Sequence, residues 1–179
     1  LGGTIESDAI NNAYSVGIYN ANSGATKISN ANIIANANKY TAYAIRRSSS
    51  GIVTVLSGNI IGTSTSGTGY GIYNSTSSNK FVIGSNDGDV STTKPEITGS
   101  YYGVYSSGKV ELYDGVLKGG TVAYNIEPTK IPNGYAILKD TEKIGEVEYK
   151  TAVLRPFIME RDSIEETYTK GMQLKPNQW

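Results

Sequence analysis

Residues 52–74 read IVTVLSGNIIGTSTSGTGYGIYN, and their parts recur on both sides at a nearly fixed distance. The apolar run Val53-Thr54-Val55-Leu56 comes first, then Gly58-Asn59-Ile60-Ile61-Gly62, a loop of Ser, Thr and Gly, and Tyr70-Gly71-Ile72-Tyr73-Asn74. β-Branched and aromatic residues in short runs, separated by Gly, Ser and Thr, favour strands joined by turns. The stretch therefore reads as strand, corner, strand, loop, strand.

Working outward, the motif small-x-[Ile/Leu]-x-small occurs as Gly3-Thr4-Ile5-Glu6-Ser7, Ala31-Asn32-Ile33-Ile34-Ala35, Gly58-Asn59-Ile60-Ile61-Gly62, Pro95-Glu96-Ile97-Thr98-Gly99 and Gly115-Val116-Leu117-Lys118-Gly119. Val16-Gly17-Ile18-Tyr19, Tyr43-Ala44-Ile45-Arg46, Tyr70-Gly71-Ile72-Tyr73 and Tyr102-Gly103-Val104-Tyr105 follow the first four copies. A third apolar run, at 26–28, 53–56, 80–83 and 109–113, precedes each next small-x-Ile unit. Gly17, Ala44 and Gly71 are 27 residues apart, as are Ala31 and Gly58. Three short strands in a period of that length is the pattern of a parallel β-helix, whose equivalent strands stack at about 4.8 Å.

The fold class read from the sequence is all-β: a parallel β-helix, or solenoid, with three short strands per coil and a C-terminal antiparallel hairpin cap. The central apolar residues are expected to form two inward columns, Ile5, Ile33, Ile60, Ile97, Leu117 and Ile18, Ile45, Ile72, Val104. Because strand side chains alternate, their neighbours are expected to point out.

Departures from the repeat mark candidate contact surfaces. Residues 84–94, GSNDGDVSTTK, are inserted in the third coil around an Asn-Asp-Gly tight-turn signal, and the fourth coil is shortened between Gly99 and Tyr102. After Gly119 the motif fades. Residues 135–139 and 146–151, on either side of a polar turn near Thr141 and Glu142, read as an antiparallel hairpin covering the open end of the solenoid, as terminal caps do in repeat proteins. The domain reading is one capped β-helix over residues 1–154, then a tail or linker at 155–179, where Ser163-Ile164-Glu165-Glu166 fits a short helix start. Leu1-Gly2-Gly3 opens in mid-coil, so the N-terminal face is expected to meet a neighbouring coil or chain.

Composition narrows the function. Lys+Arg and Asp+Glu are each 16, so no net basic field draws in nucleic acid or an anionic membrane. The absence of Cys removes a disulfide framework, a thiolate nucleophile and a Cys-ligated zinc site, and the absence of His removes the commonest general base. Gly 21, Tyr 14 and Phe 2, among long Ser, Thr and Asn runs, favour turns and strands over helices. No apolar run approaches the roughly 18 to 20 residues that cross a bilayer, and no charged-then-apolar leader opens the chain. The partners expected are therefore neither nucleic acid nor an inserted membrane, and the composition fits a secreted or cell-surface protein.

The strings FVIGSNDG at 81–88, Pro95-Glu96-Ile97-Thr98-Gly99, Tyr102-Gly103-Val104-Tyr105 and GKVELYDGVLKG at 108–119, with Ile131-Pro132-Asn133-Gly134-Tyr135 and Tyr149-Lys150-Thr151 closing the array, resemble the repetitive surface-exposed, adhesin-like proteins of Gram-positive gut bacteria. The resemblance covers roughly residues 3–154. It implies a right-handed β-helix on a large exported protein, and because its motifs are structural it carries over no catalytic or binding residue. Pectate-lyase-like enzymes share the architecture, and fold alone assigns no activity.

Candidate sites follow from the outward positions. Tyr19, Arg46, Tyr73 and Tyr105 form a column beside the small residues Gly17, Ala44, Gly71 and Gly103. Aromatic walls over a glycine floor would suit flat sugar rings, so a glycan or host-surface ligand is one reading. The other is a self-stacked ladder held by aromatic and cation–π contacts. Asn20, Asn74 and Ser106 share a corner and read as a hydrogen-bonded ladder, and the pair Arg46-Arg47 reads as a solvated strand end. Asp87 and Asp89, with Asn86, are candidate calcium ligands, although the spaced carboxylates and distal Glu of a dedicated calcium loop are missing; no other cofactor is expected. Acidic pairs do not accumulate along the outward columns, so a lyase or hydrolase site has no residues to build it. The reading is a non-catalytic spacer or adhesive module, with a polysaccharide-active enzyme and a filament or spike subunit as alternatives.

Overall fold

A computed structural model of the chain describes residues 3–11 and 13–157. The first coil is β1 (Gly3–Ala9), β2 (Ser15–Asn20) and β3 (Thr26–Ile28); the second is β4 (Ala31–Ala37), β5 (Ala42–Arg47) and β6 (Val53–Val55). The third is β7 (Gly58–Ser64), β8 (Gly69–Asn74) and β9 (Phe81–Ile83), and the fourth β10 (Glu96–Gly99), β11 (Tyr102–Ser106) and β12 (Val110–Leu112). A last part-coil, β13 (Val116–Gly119) and β14 (Val122–Tyr124), leads to the hairpin β15 (Tyr135–Ile144) and β16 (Val147–Pro156). No helix occurs among the described residues.

Each strand pairs in parallel with its equivalent one coil away. Three sheets therefore run along the solenoid: β1-β4-β7-β10-β13, β2-β5-β8-β11-β14 and β3-β6-β9-β12. Ile5, Ile33, Ile60, Ile97 and Leu117 are register partners in the first sheet, and Ile18, Ile45, Ile72 and Val104 in the second. Both apolar columns expected from the repeat are present. The third sheet supplies Val53, Phe81 and Val110 beside Ile28, Val55, Ile83 and Leu112, all buried. Each such side chain, fully buried, contributes about 1.5–3 kcal/mol through removal from water. The column ends differ from its middle: Ile60 has no exposed surface, whereas Ile5 is 42% exposed.

The corner from the third sheet into the first fixes residue identity. Gly58 opens β7 at φ +112° and Gly115 precedes β13 at φ +103°, and a Cβ at either would strike a backbone carbonyl of the preceding coil, Ala31 or Pro95. Only glycine combines that backbone angle with that approach.

The hairpin closes the C-terminal end. β16 adds antiparallel to β13, with Leu117 opposite Ala152 and Val116 opposite Val153, and Ala152 and Leu154 lose all exposed surface. Its strands are longer than the sequence suggests, ten residues each, so that Thr141 and Glu142, read as the turn, lie inside β15 and the chain reverses at Gly145-Glu146; their far halves are exposed. Lys118, nearly buried, holds the hairpin to the solenoid: its Nζ lies 3.1 Å from Glu96 Oε1 and 2.9 Å from Glu142 Oε2. Those carboxylates raise the Lys118 pKa against the opposing effect of its burial. From residue 158 on, the tail read from the sequence lies outside the described residues.

The insertion after β9 is pinned at both feet by one side chain. Asp114, buried, accepts Ser85 N at 3.0 Å on Oδ2 and Ser91 N at 2.5 Å on Oδ1.

Candidate functional site

The outer face of the second sheet is built by a break in alternation. Tyr70 and Tyr73 are three residues apart, and strict alternation would place them on opposite faces. Both reach the outside because Gly71 and Ile72 are buried in succession, as are Ala44 and Ile45 in β5 and Gly103 and Val104 in β11. The small column therefore faces inward: a Cβ on Gly71 would come within 2.6 Å of Ile97 Cγ2. This corrects the sequence reading of a glycine floor between aromatic walls. Gly17, Ala44, Gly71 and Gly103 form an inner seam, and a second tyrosine column, Tyr43, Tyr70 and Tyr102, lies beside Tyr73 and Tyr105.

The two columns are in direct contact. Tyr43 and Tyr70 have ring centroids 5.3 Å apart at 9°, Tyr70 and Tyr102 are 5.5 Å apart at 9°, and Tyr73 and Tyr105 are 5.3 Å apart at 12°. Between columns, Tyr70 meets Tyr73 at 5.0 Å and 67°, and Tyr102 meets Tyr105 at 5.4 Å and 68°. Near-parallel rings in face-on contact sit about 3.5–4 Å apart, so separations above 5 Å mean lateral offset. Each ring covers part of the next and leaves part of itself outward.

Arg46 takes the tyrosine place in the second coil. Its guanidinium carbon lies 5.1 Å from the Tyr19 ring centre and 5.2 Å from that of Tyr43, and the Tyr19 hydroxyl is 2.8 Å from Ser48 Oγ. The four site residues expected from the sequence are thus brought onto one surface, with Tyr43, Tyr70 and Tyr102 added. Burial, then the neighbouring phenols Tyr43, Tyr73, Tyr102 and Tyr105, push the Tyr70 hydroxyl up to about 12.

Behind this face runs a polar inner column. Asn20, Arg47, Asn74 and Ser106 are register partners and all are buried. Asn20 Nδ2 donates within its own coil, to Thr26 Oγ1 at 2.7 Å, whereas Asn74 Nδ2 donates to Ser106 Oγ at 2.8 Å, one rung of the corner ladder expected of these residues. Arg47 interrupts it. Far from a solvated strand end, it has no exposed surface: Nη2 donates to the Ser78 carbonyl at 2.5 Å, Nη1 to Asn74 Oδ1 at 3.4 Å, and Nε has no partner among the described residues. Burial lowers its pKa from the ordinary arginine value.

Asp87 and Asp89 lie in the pinned insertion, where Asp87 Oδ1 accepts Asp89 N at 3.1 Å, a hydrogen bond that lowers the Asp87 pKa. Burial raises the Asp114 pKa against its two backbone donors, and Asp87 and Asp89 push the same way. Among the described residues no three acidic side chains group as a metal site would require. Compared with protein-family models, curated proteins and solved structures, the chain shows no match in any of the three, so its assignment rests on the solenoid and on this surface.

Proposed function

We propose that the chain is a non-catalytic, exported cell-surface β-solenoid module, a stiff spacer that presents the tyrosine face as an adhesive surface for glycans. One observation carries this reading: Tyr43, Tyr70, Tyr73, Tyr102 and Tyr105 with Arg46 make a continuous, partly exposed aromatic strip on a rigid sheet. Sugars pack their C–H faces on aromatic rings while rim hydroxyls hydrogen-bond, and preformed rings lose little freedom on binding. The absence of catalysis is supported by the other duties of several carboxylates: Glu96 faces Lys118, Glu111 faces Lys80, Glu127 faces Lys139, and Asp114 serves the insertion backbone.

A glycan-array screen of the intact chain against a Tyr73→Ala, Tyr105→Ala double variant tests it. Loss of two ring contacts is expected to weaken binding by roughly tenfold or more, with the inward columns and the circular dichroism spectrum unchanged. Equal binding by the two proteins, or no binding by the intact chain, removes the tyrosine face as a recognition surface.

A further inference from the structure

The third sheet presents a chemically different surface. Its outward register position runs Lys27, Thr54, Val82 and Glu111 across β3, β6, β9 and β12, and Lys130 continues the row by a parallel bridge to Glu111. A shallow cleft of about 380 Å³ lies along this row and is lined also by Lys80 and Tyr113.

Its charges do not balance. The carboxylate of Glu111 is already engaged by Lys80 Nζ at 2.7 Å and by the Tyr113 hydroxyl at 3.1 Å. Lys27 and Lys130 are exposed and make no ion-pair contact among the described residues; Lys130 acts on its row neighbour Glu111 only at longer range, and its Nζ stands 5.9 Å from the Tyr113 ring centre. Among the residues that line the cleft three ammonium groups face one carboxylate, on a chain whose net charge is zero, and the nearby Asp114 carboxylate is held by the backbone of Ser85 and Ser91.

Spacing selects the ligand. Lys27 and Lys130 stand at the two ends of a five-residue row, four inter-strand steps of about 4.8 Å or roughly 19 Å along the axis. A single small anion cannot meet both, whereas an extended polyanion can. Nucleic acid would ask for several stacking rings to take its bases, and the one ring lining this cleft, Tyr113, is itself buried. We infer that the cleft over the third sheet binds an acidic polysaccharide, a chain of uronate or sulfated sugar rings lying along the solenoid. Its anionic groups meet Lys27 and Lys130. The inference is independent of the tyrosine face, which lies on another sheet.

Titration of the intact chain with polygalacturonate, dextran sulfate, neutral dextran and a single-stranded oligonucleotide, at low and physiological salt, tests it. Binding to at least one of the acidic polysaccharides and not to dextran is expected, and it should weaken as salt screens the lysines. The Lys27→Ala, Lys130→Ala variant should bind roughly fivefold more weakly, as expected for two exposed ionic contacts; both positions are exposed, so its melting temperature should not move. The Tyr73→Ala, Tyr105→Ala variant should bind these polyanions like the intact chain, which separates this site from the tyrosine face. Binding to neither acidic polysaccharide, equal binding of dextran, or unchanged affinity of the double lysine variant overturns the assignment. Tighter binding of the oligonucleotide than of either polysaccharide overturns it as well.

Discussion

Arg47 keeps a guanidinium where no water reaches it and where its described partners are one carbonyl and one amide oxygen. Removing a charge from water costs several kcal/mol unless compensated, and arginine does not escape by losing its proton. Its stem, however, fills the space between Asn20 and Asn74. Charge and volume can be separated by substitution. Arg47→Met keeps the volume and is expected to unfold in urea within about 1 kcal/mol of the parent or above it, whereas Arg47→Ala adds a cavity and should lose about 2–4 kcal/mol. Arg47 also marks where the sequence stops being legible. The Ile5 to Leu117 column could be read because one apolar residue per motif recurs at fixed spacing and burial follows. The burial of Arg47 follows by plain alternation from Ile45, but its charge argues for solvent. The outward position of Tyr70 could not be read, because it depends on two successive inward residues, Gly71-Ile72 and its equivalents, which shift strand parity by one. The double small-apolar pair between aromatic positions is the signal that could have shown it.

At the scale of elements, Tyr70 on the outer face of the second sheet couples proton loss to folding. In the folded chain Tyr70 keeps its proton to about pH 12, against an ordinary value of 10.0. The unfolded chain therefore releases that proton first, and rising pH favours unfolding between those two values. Tyr124, also pushed to about 12 by burial and then by Glu127, contributes in the same window. The melting temperature is thus expected to fall as pH rises from 10 toward 12, and less steeply in Tyr70→Phe, as followed by circular dichroism. The hairpin was legible as an element, from its alternation, but its turn was not: Thr141 and Glu142 pair within the ladder and Gly145, at φ +61°, makes the reversal. Nor was its length, because the exposed halves of β15 and β16 bury nothing that patterning could report. The lysine cleft was equally hidden, since Lys27 and Lys130 are 103 residues apart and only coil stacking brings them into one row.

For the whole molecule the repeat makes length adjustable. Residues 31–57 are one coil, 27 residues long, and their removal would set Gly3 against Gly58 and Ile5 against Ile60 in the register that Ala31 and Ile33 now hold. The shortened chain is expected to fold, with β circular dichroism and a single melting transition, and with roughly 1–4 kcal/mol less stability, the share of that many residues in a typical domain. A deletion of 31–52, which leaves the columns out of step, should give no cooperative melt.

The Asp114 clamp gives the molecule a second kind of freedom. One carboxylate holds both feet of the insertion by backbone N–H groups, and backbone N–H groups are the same whatever side chains they carry. Up to Val90, which packs against the core, the lettering after Ser85 is thereby uncoupled from the frame that displays it. A lineage can rewrite residues 86–89 without reopening the question of how the solenoid folds, and a protein engineer can graft a foreign epitope into the same window on the same terms.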